Sequence, residues 1–323
     1  MKLLFELSGE NTTLPFAELE CVGTVLAKRA QVAIVECPDP APARRLAMTH
    51  CVCEYLGECN PEISAFRHLL RDLAIETDQS FAGRVKRVHA DGTRMDWHCS
   101  VGEFERLIGT MIDGPVDLSV PESEYRAILS EDRCYFGKVI FRIDRGGYDK
   151  RNPGKRAFFH PGVMMPRMAR ALVNISCAQP GNLLLDPFCG TGGILIEAAL
   201  LGIAAVGSDF DPLMVKGSRQ NMTESSLLIA DATRLPIHDA SVDAVVTDLP
   251  YGQSVAIKRE DTVERLYHDT LLEVCRVLRR GKRAVIVSHK DISDMADRHM
   301  QVVQRHEQRV HKSLTRRVLV LEK

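Results

Sequence analysis

The chain has 323 residues, 45% of them hydrophobic, which suits two or three packed domains and excludes a disordered or fibrous protein. Its formal net charge of -1 gives no global attraction to nucleic acid, so phosphate contacts must come from local Lys and Arg clusters. The opening MKLLFELSGENTT lacks the apolar core of a secretion signal, and no apolar run is long enough to span a bilayer, so a soluble, cytoplasmic protein is expected.

In chain order, KLLFEL at residues 2–7 reads as a strand, residues 16–29 as a helix, QVAIVEC at 31–37 as a strand and residues 43–55 as a helix. A second run follows, with helices at 61–73 and 101–112 and strands at 80–88, 116–120, 125–130 and 135–141. The polar alternation in this half predicts an α+β arrangement rather than a buried parallel sheet. Of the ten cysteines, Cys51, Cys53 and Cys59 cluster behind His50, but without the paired C-x-x-C spacing of a structural zinc site, so no metal is expected.

Residues 144–155, DRGGYDKRNPGK, change the composition to glycine, proline and basic side chains, which marks a domain boundary. Beyond a helix over 162–175, strands LLLD, AAVGSD, LLIAD, AVVTD and AVIVS alternate with helical segments. That alternation predicts a doubly wound parallel sheet with its ligand crevice at the strands' carboxyl ends. The last two strands, QVVQRHEQRV and TRRVLVLEK, are too close in sequence to be joined by a crossover, so they form an antiparallel hairpin. An antiparallel final strand separates the methyltransferase version of this sheet from a nicotinamide dehydrogenase.

The first of these strands runs into Asp186-Pro187-Phe188-Cys189-Gly190-Thr191-Gly192-Gly193. Gly190 and Gly192 let the backbone turn sharply and a cofactor approach, while Asp186 suits a cationic group such as the ammonium of S-adenosylmethionine and not a pyrophosphate. Asp209 ends the second strand, where a carboxylate meets ribose hydroxyls. Asp231 ends the third, placed to accept from an adenine amino group beside the Ala232 amide. Asp211, before Pro212, reads as a helix cap instead.

The fourth strand delivers Asp248-Leu249-Pro250-Tyr251-Gly252 to the same crevice. An exocyclic amine on a base is a poor nucleophile because its lone pair is delocalised into the ring. Hydrogen bonds accepted by Asp248 and by a backbone carbonyl beside Pro250 redirect that lone pair, and Tyr251 can stack on the base. The tetrapeptide alone admits an amine on DNA, on RNA or on a protein amide.

These motifs together resemble the archaeal tRNA guanine-10 N2-methyltransferases that carry a THUMP domain, over nearly the whole chain. Phe81 to Arg87, Val101-Gly102 and Val116 to Leu118 match the THUMP pattern, and Phe158 to Gly162 with Ala169 to Asn174 match the entry to the catalytic domain. The resemblance implies a ferredoxin-like region over 1–50, a THUMP tRNA-binding domain over 51–144, a basic linker over 145–160 and a class I methyltransferase domain over 161–323. It also implies His160 near the cofactor, tRNA as partner and mono- then dimethylation of guanine N2. A monomer is expected, and the need for a small activating protein stays open. Arg84, Lys86 and Arg87, with Lys150, Arg151, Lys155 and Arg156, are the expected phosphate contacts. Two other readings remain: amino-methylation of another RNA or DNA base, and a tRNA-binding protein without catalysis.

Overall fold

The structure is a computed structural model that describes residues 1–89, 100–222, 226–251, 260–311 and 314–323, apart from the side chains of 260–262 and 311. Two compact units divide the chain, Met1–Asp144 and Arg145–Lys323. Among the described residues, no helix is long and apolar enough to cross a membrane.

The first unit contains β1 (Lys2–Leu7), α1 (Leu14–Glu18), β2 (Thr24–Arg29), β3 (Val32–Glu36), β4 (Thr49–Cys59) and α2 (Ile63–Leu73). It continues with β5 (Phe81–Val88), α3 (Val101–Met111), β6 (Ser123–Ser130) and β7 (Arg133–Arg142). All its strands join one seven-stranded sheet, in the order β2-β3-β1-β4-β7-β6-β5. Only the β5 and β6 pair is parallel among the pairings described. The apolar faces of α2 and α3, with Phe66, Leu70, Phe104 and Ile108, pack on Phe81, Tyr125 and Phe136 of the sheet. Ser100 and Glu103 close a capping box at the start of α3, satisfying backbone donors that the helix leaves unpaired.

Three sequence expectations differ here. Pro15 opens α1, but the segment expected to be helical to Arg29 turns after Gly23 into β2, which pairs with β3 across a tight turn where Gln31 has φ 56°. Residues 49–55, expected as helix, begin β4, which lies between β1 and β7. A strand buried on both faces has a continuous apolar run that mimics a helix. Residues 116–120 form no strand: Val116 makes a single parallel bridge to Phe81 and residues 118–120 are bends, with Asp117 accepting from the Ser119 and Val120 amides. Residue 50 falls inside β4, the strand common to both halves of the sheet.

The second unit comprises α4 (Gly146–Lys150), α5 (Pro166–Ile175), β8 (Leu183–Asp186), α6 (Gly193–Ala199), β9 (Ala204–Asp209), α7 (Pro212–Asn221) and β10 (Ser226–Ile229). It ends with β11 (Val242–Asp248), α8 (Glu260–Val277), β12 (Leu278–Ser288), α9 (Ser293–Asp297), β13 (Gln301–His311) and β14 (Leu314–Glu322). The sheet order is β10-β9-β8-β11-β12-β14-β13. Strands β8 to β12 are mutually parallel, and β14 runs antiparallel between β12 and β13. This is the class I methyltransferase arrangement expected from the sequence.

One buried glutamate ties the start of this unit to its core. Glu197 on α6 is 0% exposed and accepts from Arg170 of α5 and from Arg151, whose Nε lies 2.7 Å from Oε1. A carboxylate so far from water is costly to bury unless such cationic partners and hydrogen bonds meet it. Arg151 therefore anchors the segment that the sequence marks as a linker.

Candidate active site

Four adjacent parallel strands bring an aspartate to the same edge: β8 ends in Asp186, β9 in Asp209 and β11 in Asp248, while Asp231 lies two residues beyond β10. Sequence-distant acids converge because all parallel strands present their carboxyl ends together. A cavity of about 410 Å³ opens there, within the range of small-molecule sites. Its walls include Asp186, Gly190 and Asp209, the whole Asp248 to Tyr251 turn, and His160 with Met164 from the segment before α5.

The electrostatics favour a cationic ligand. Burial pushes Asp186 up to about 7, against hydrogen bonds from the Thr247 hydroxyl at 2.7 Å and the Phe188 amide at 3.2 Å. Burial also raises Asp209, although it accepts from the Gly190 and Asp211 amides, each at 3.0 Å. Asp248 is pushed up to about 6 by burial, with Arg316 and Tyr251 opposing the shift. Among the described residues the cavity wall carries no Lys or Arg. Asp186 and Asp209, held together in low dielectric, are costly as charges until a positive ligand joins them.

The turn after β8 is shaped by its glycines. Gly192 has φ 83°, and a Cβ there would sit 2.5 Å from the Ser218 Oγ of α7, so no other residue allows this approach of loop to helix. The segment leading to His160 is fastened to the same helix: the Phe158 amide donates to Asn221 Oδ1, and Asn221 Nδ2 donates to the carbonyls of Phe158 and Thr191. His160 itself is exposed, with Nδ1 2.9 Å from the Pro161 carbonyl.

In the tetrapeptide, Leu249 donates its amide to Val287 of β12 at 2.8 Å, which fixes the turn to the sheet. The Pro250 carbonyl accepts from Tyr267 Oη at 2.6 Å. Tyr251 does more than offer a face for stacking. Its phenol donates to Asp248 Oδ1 at 2.7 Å and accepts from Arg316 Nε at 3.1 Å. Gly252, the last residue of the expected motif, lies outside the described residues.

The cavity thus brings together Asp248, Pro250, Tyr251, Asp186, Gly190, Asp209 and His160. Gly192 shapes the loop from behind. Asp231 and Ala232 stand off the cavity wall, and the Asp231 carboxylate accepts from the amide and hydroxyl of Thr233.

The expected phosphate contacts separate into two kinds. Lys150 and Lys155 are exposed. Arg151 is committed to Glu197, and Arg156 has turned inward, with both terminal nitrogens buried beside Gly193 and without hydrogen-bond partners. In the first unit, Lys86 pairs with buried Glu6 and Arg84 donates to the Leu118 carbonyl, while Arg87 is half-buried. Arg151 and Lys86, read from sequence as surface charges, are thus diverted by a buried carboxylate within reach.

Sequence reading missed Thr247, Tyr267, His289 and Arg316. Thr247 and Tyr267 look like ordinary strand and helix residues. Arg316 comes from β14 and gives no local signal.

Comparison with known proteins agrees with this geometry. Residues 153–318 match the family described as RMKL-like, methyltransferase domain. The chain is 33% identical to a tRNA (guanine(10)-N2)-dimethyltransferase of Methanothermobacter thermautotrophicus over 350 aligned positions, covering 100% of both chains. It is 34% identical to the enzyme of the same name from Methanocaldococcus jannaschii, over 67% of this chain and 66% of that one. The fold is shared with TrmN from Thermus thermophilus, at a TM-score of 0.53 and 21% identity over 100% of both chains. With its sheet order, its aspartate-lined crevice and its end-to-end likeness to the Methanothermobacter enzyme, the chain belongs to the archaeal tRNA (guanine-10 N2)-methyltransferase family.

Proposed function

We propose that the protein transfers methyl groups from S-adenosylmethionine to the exocyclic N2 amine of guanine in tRNA, at position 10, first once and then twice. The observation that carries this reading is the placement of Asp248 to Tyr251 in the same cavity as Asp186 and Asp209. When bound, S-adenosylmethionine supplies an electrophilic methyl group on a sulfonium. Asp186 would hold its ammonium, Asp209 its ribose hydroxyls, and Asp231 with Ala232 its adenine end at the neighbouring strand edge.

On the substrate side, Asp248 accepts one N2–H of guanine. The Leu249 carbonyl, preceding the proline ring on the cavity wall, accepts the other. Proline fixes the turn that aims both acceptors, and the Tyr251 ring supports the base once it has left its stem, at a cost of roughly a few kcal/mol. Residues 51–144 would act as the THUMP unit that holds tRNA, with Lys150 and Lys155 as exposed phosphate contacts. A small activating protein is a further partner to be tested by adding it to the purified enzyme.

The test is methyl transfer to tRNA by the wild type and by Asp248→Ala. The variant should lose about 10²–10³-fold in rate while binding S-adenosylmethionine as before. Full activity in the variant would refute the role of Asp248. Label on adenine N6 would refute the guanine assignment, and tRNA affinity without any transfer would support a binding protein instead.

A further inference from the structure

Strand direction decides which end of a strand reaches the crevice. The parallel strands deliver their last residues there, but β14 is antiparallel to β12 and delivers its first. Register places Arg317 opposite Ser288 and Val318 opposite Val287, and Val287 in turn lies beside Asp248 of β11. Arg316, one residue earlier on β14, reaches the catalytic turn from two strands away. It is 7% exposed, its Nε donates to Tyr251 Oη at 3.1 Å, and its Nη2 lies 3.8 Å from Asp248 Oδ2.

These contacts are directional. The Tyr251 oxygen accepts from Arg316 while its hydrogen is given to Asp248 Oδ1. The phenol therefore occupies the acceptor atom that an incoming base amine needs. When that amine displaces it, the phenol oxygen can keep its bond to Arg316 and the ring need not leave the site.

We propose that Arg316 is a positioning residue of the methyl-transfer site, holding Asp248 as a charged acceptor and anchoring the Tyr251 phenol when the base amine takes its place. This inference rests on the proposed methylation of a guanine amine. Other charged or titratable groups around Asp248 do not supply that service. Asp186 from β8 is an acid that opposes the second charge. Tyr267 from α8 is spent on the Pro250 carbonyl, with its oxygen 3.3 Å from His289 Nδ1. His289, after β12, faces the Tyr251 ring at 5.3 Å, and its pKa is lowered by burial and by the nearby Lys290 and Arg317, which favours the neutral ring. The cofactor's sulfonium is the other positive charge that binding would bring, and it is common to all variants.

Asp248 is a charge-assisted acceptor, with no proton of its own to compete, only when ionised; without Arg316 its proton is held more tightly, so the activity that appears as pH rises must appear later. The experiment is the pH profile of kcat for methyl transfer to tRNA by full-length wild type, Arg316→Met, Arg316→Gln and Arg316→Lys, with cofactor affinity measured by calorimetry. Met and Gln should move the acidic limb upward by about one pH unit or more, lowering kcat about tenfold on the acidic side of the limb and about twofold near neutrality, with cofactor affinity changed less than about threefold. Lys, which keeps the charge, should return the limb most of the way. If the Met variant does not fold, the Gln variant gives the same readout. An acidic limb that stays where the wild type has it in a folded neutral variant overturns the proposal. A wild type that transfers no methyl to guanine overturns the functional reading instead.

Discussion

Glu6 and Asp186 are both buried carboxylates near the ends of strands, one in each unit, and their surroundings are opposite. Burial raises both, but Glu6 meets the Arg126 guanidinium and the Lys86 ammonium, which hold it below the usual range overall. Asp186 meets a hydroxyl, an amide and two further acids, and rises to about 7. A buried acid whose charge is matched within the protein serves the fold, whereas one left unmatched is held ready for a cation from outside. The two units should therefore answer pH in opposite senses. Glu6, with a lowered pKa, contributes stability above its unfolded value that is lost as pH falls through the folded one. Asp186 and Asp248, with raised values, weaken the second unit as pH rises through about 6 to 7, and that loss is regained toward pH 4.

The hardest test of this contrast uses Glu197, a matched acid within the second unit. Glu197→Ala strands Arg170 beneath the sheet and should cost about 3–5 kcal/mol in urea unfolding. Glu6→Ala should cost less, about 1–3 kcal/mol, because Lys86 is partly exposed and recovers water. If Glu6→Ala is the more damaging of the two, burial is not what sets the cost. The unmatched acid should behave in reverse: Asp186→Asn is expected to raise the melting temperature of the cofactor-free protein by several degrees at pH 8, with the gain shrinking toward pH 4, while abolishing cofactor binding. A drop in melting temperature at pH 8 would mean that the Asp186 charge is already compensated.

Much of the second unit was legible because four of its five parallel strands run into an acid, so Asp186, Asp209, Asp231 and Asp248 carry their positions in the sequence. The first unit was less legible. Residues 43–55 and 16–29 have apolar spacing that suits either period, and only pairing decides it: β4 with both β1 and β7 for the first, β2 with β3 for the second. Arg316 was illegible for another reason: its contact with Asp248 spans two intervening strand pairings, and no local pattern encodes which end of β14 faces the crevice. The basic residues failed in between. Composition located Lys150, Arg151, Lys155 and Arg156, but the acceptor that diverts Arg151 lies on α6, far along the chain.

The smallest effects concern those cations. Replacing Lys150 and Lys155 together by Ala should weaken tRNA binding a few-fold and reduce the salt dependence of binding by about two ions, with stability unchanged. Arg151→Ala should lower stability instead, through its loss from Glu197. Equal effects of both changes on the salt slope would place Arg151 on the RNA surface.

The central claim is that a guanine N2 amine at position 10 of tRNA is the methyl acceptor. It is tested most directly with two tRNAs differing only at that base, guanine in one and hypoxanthine, which lacks the amine, in the other. After reaction with labelled cofactor, nucleoside mass spectrometry should find N2-methyl- and N2,N2-dimethylguanosine in the first and no label in the second. Equal labelling of the two would contradict the account.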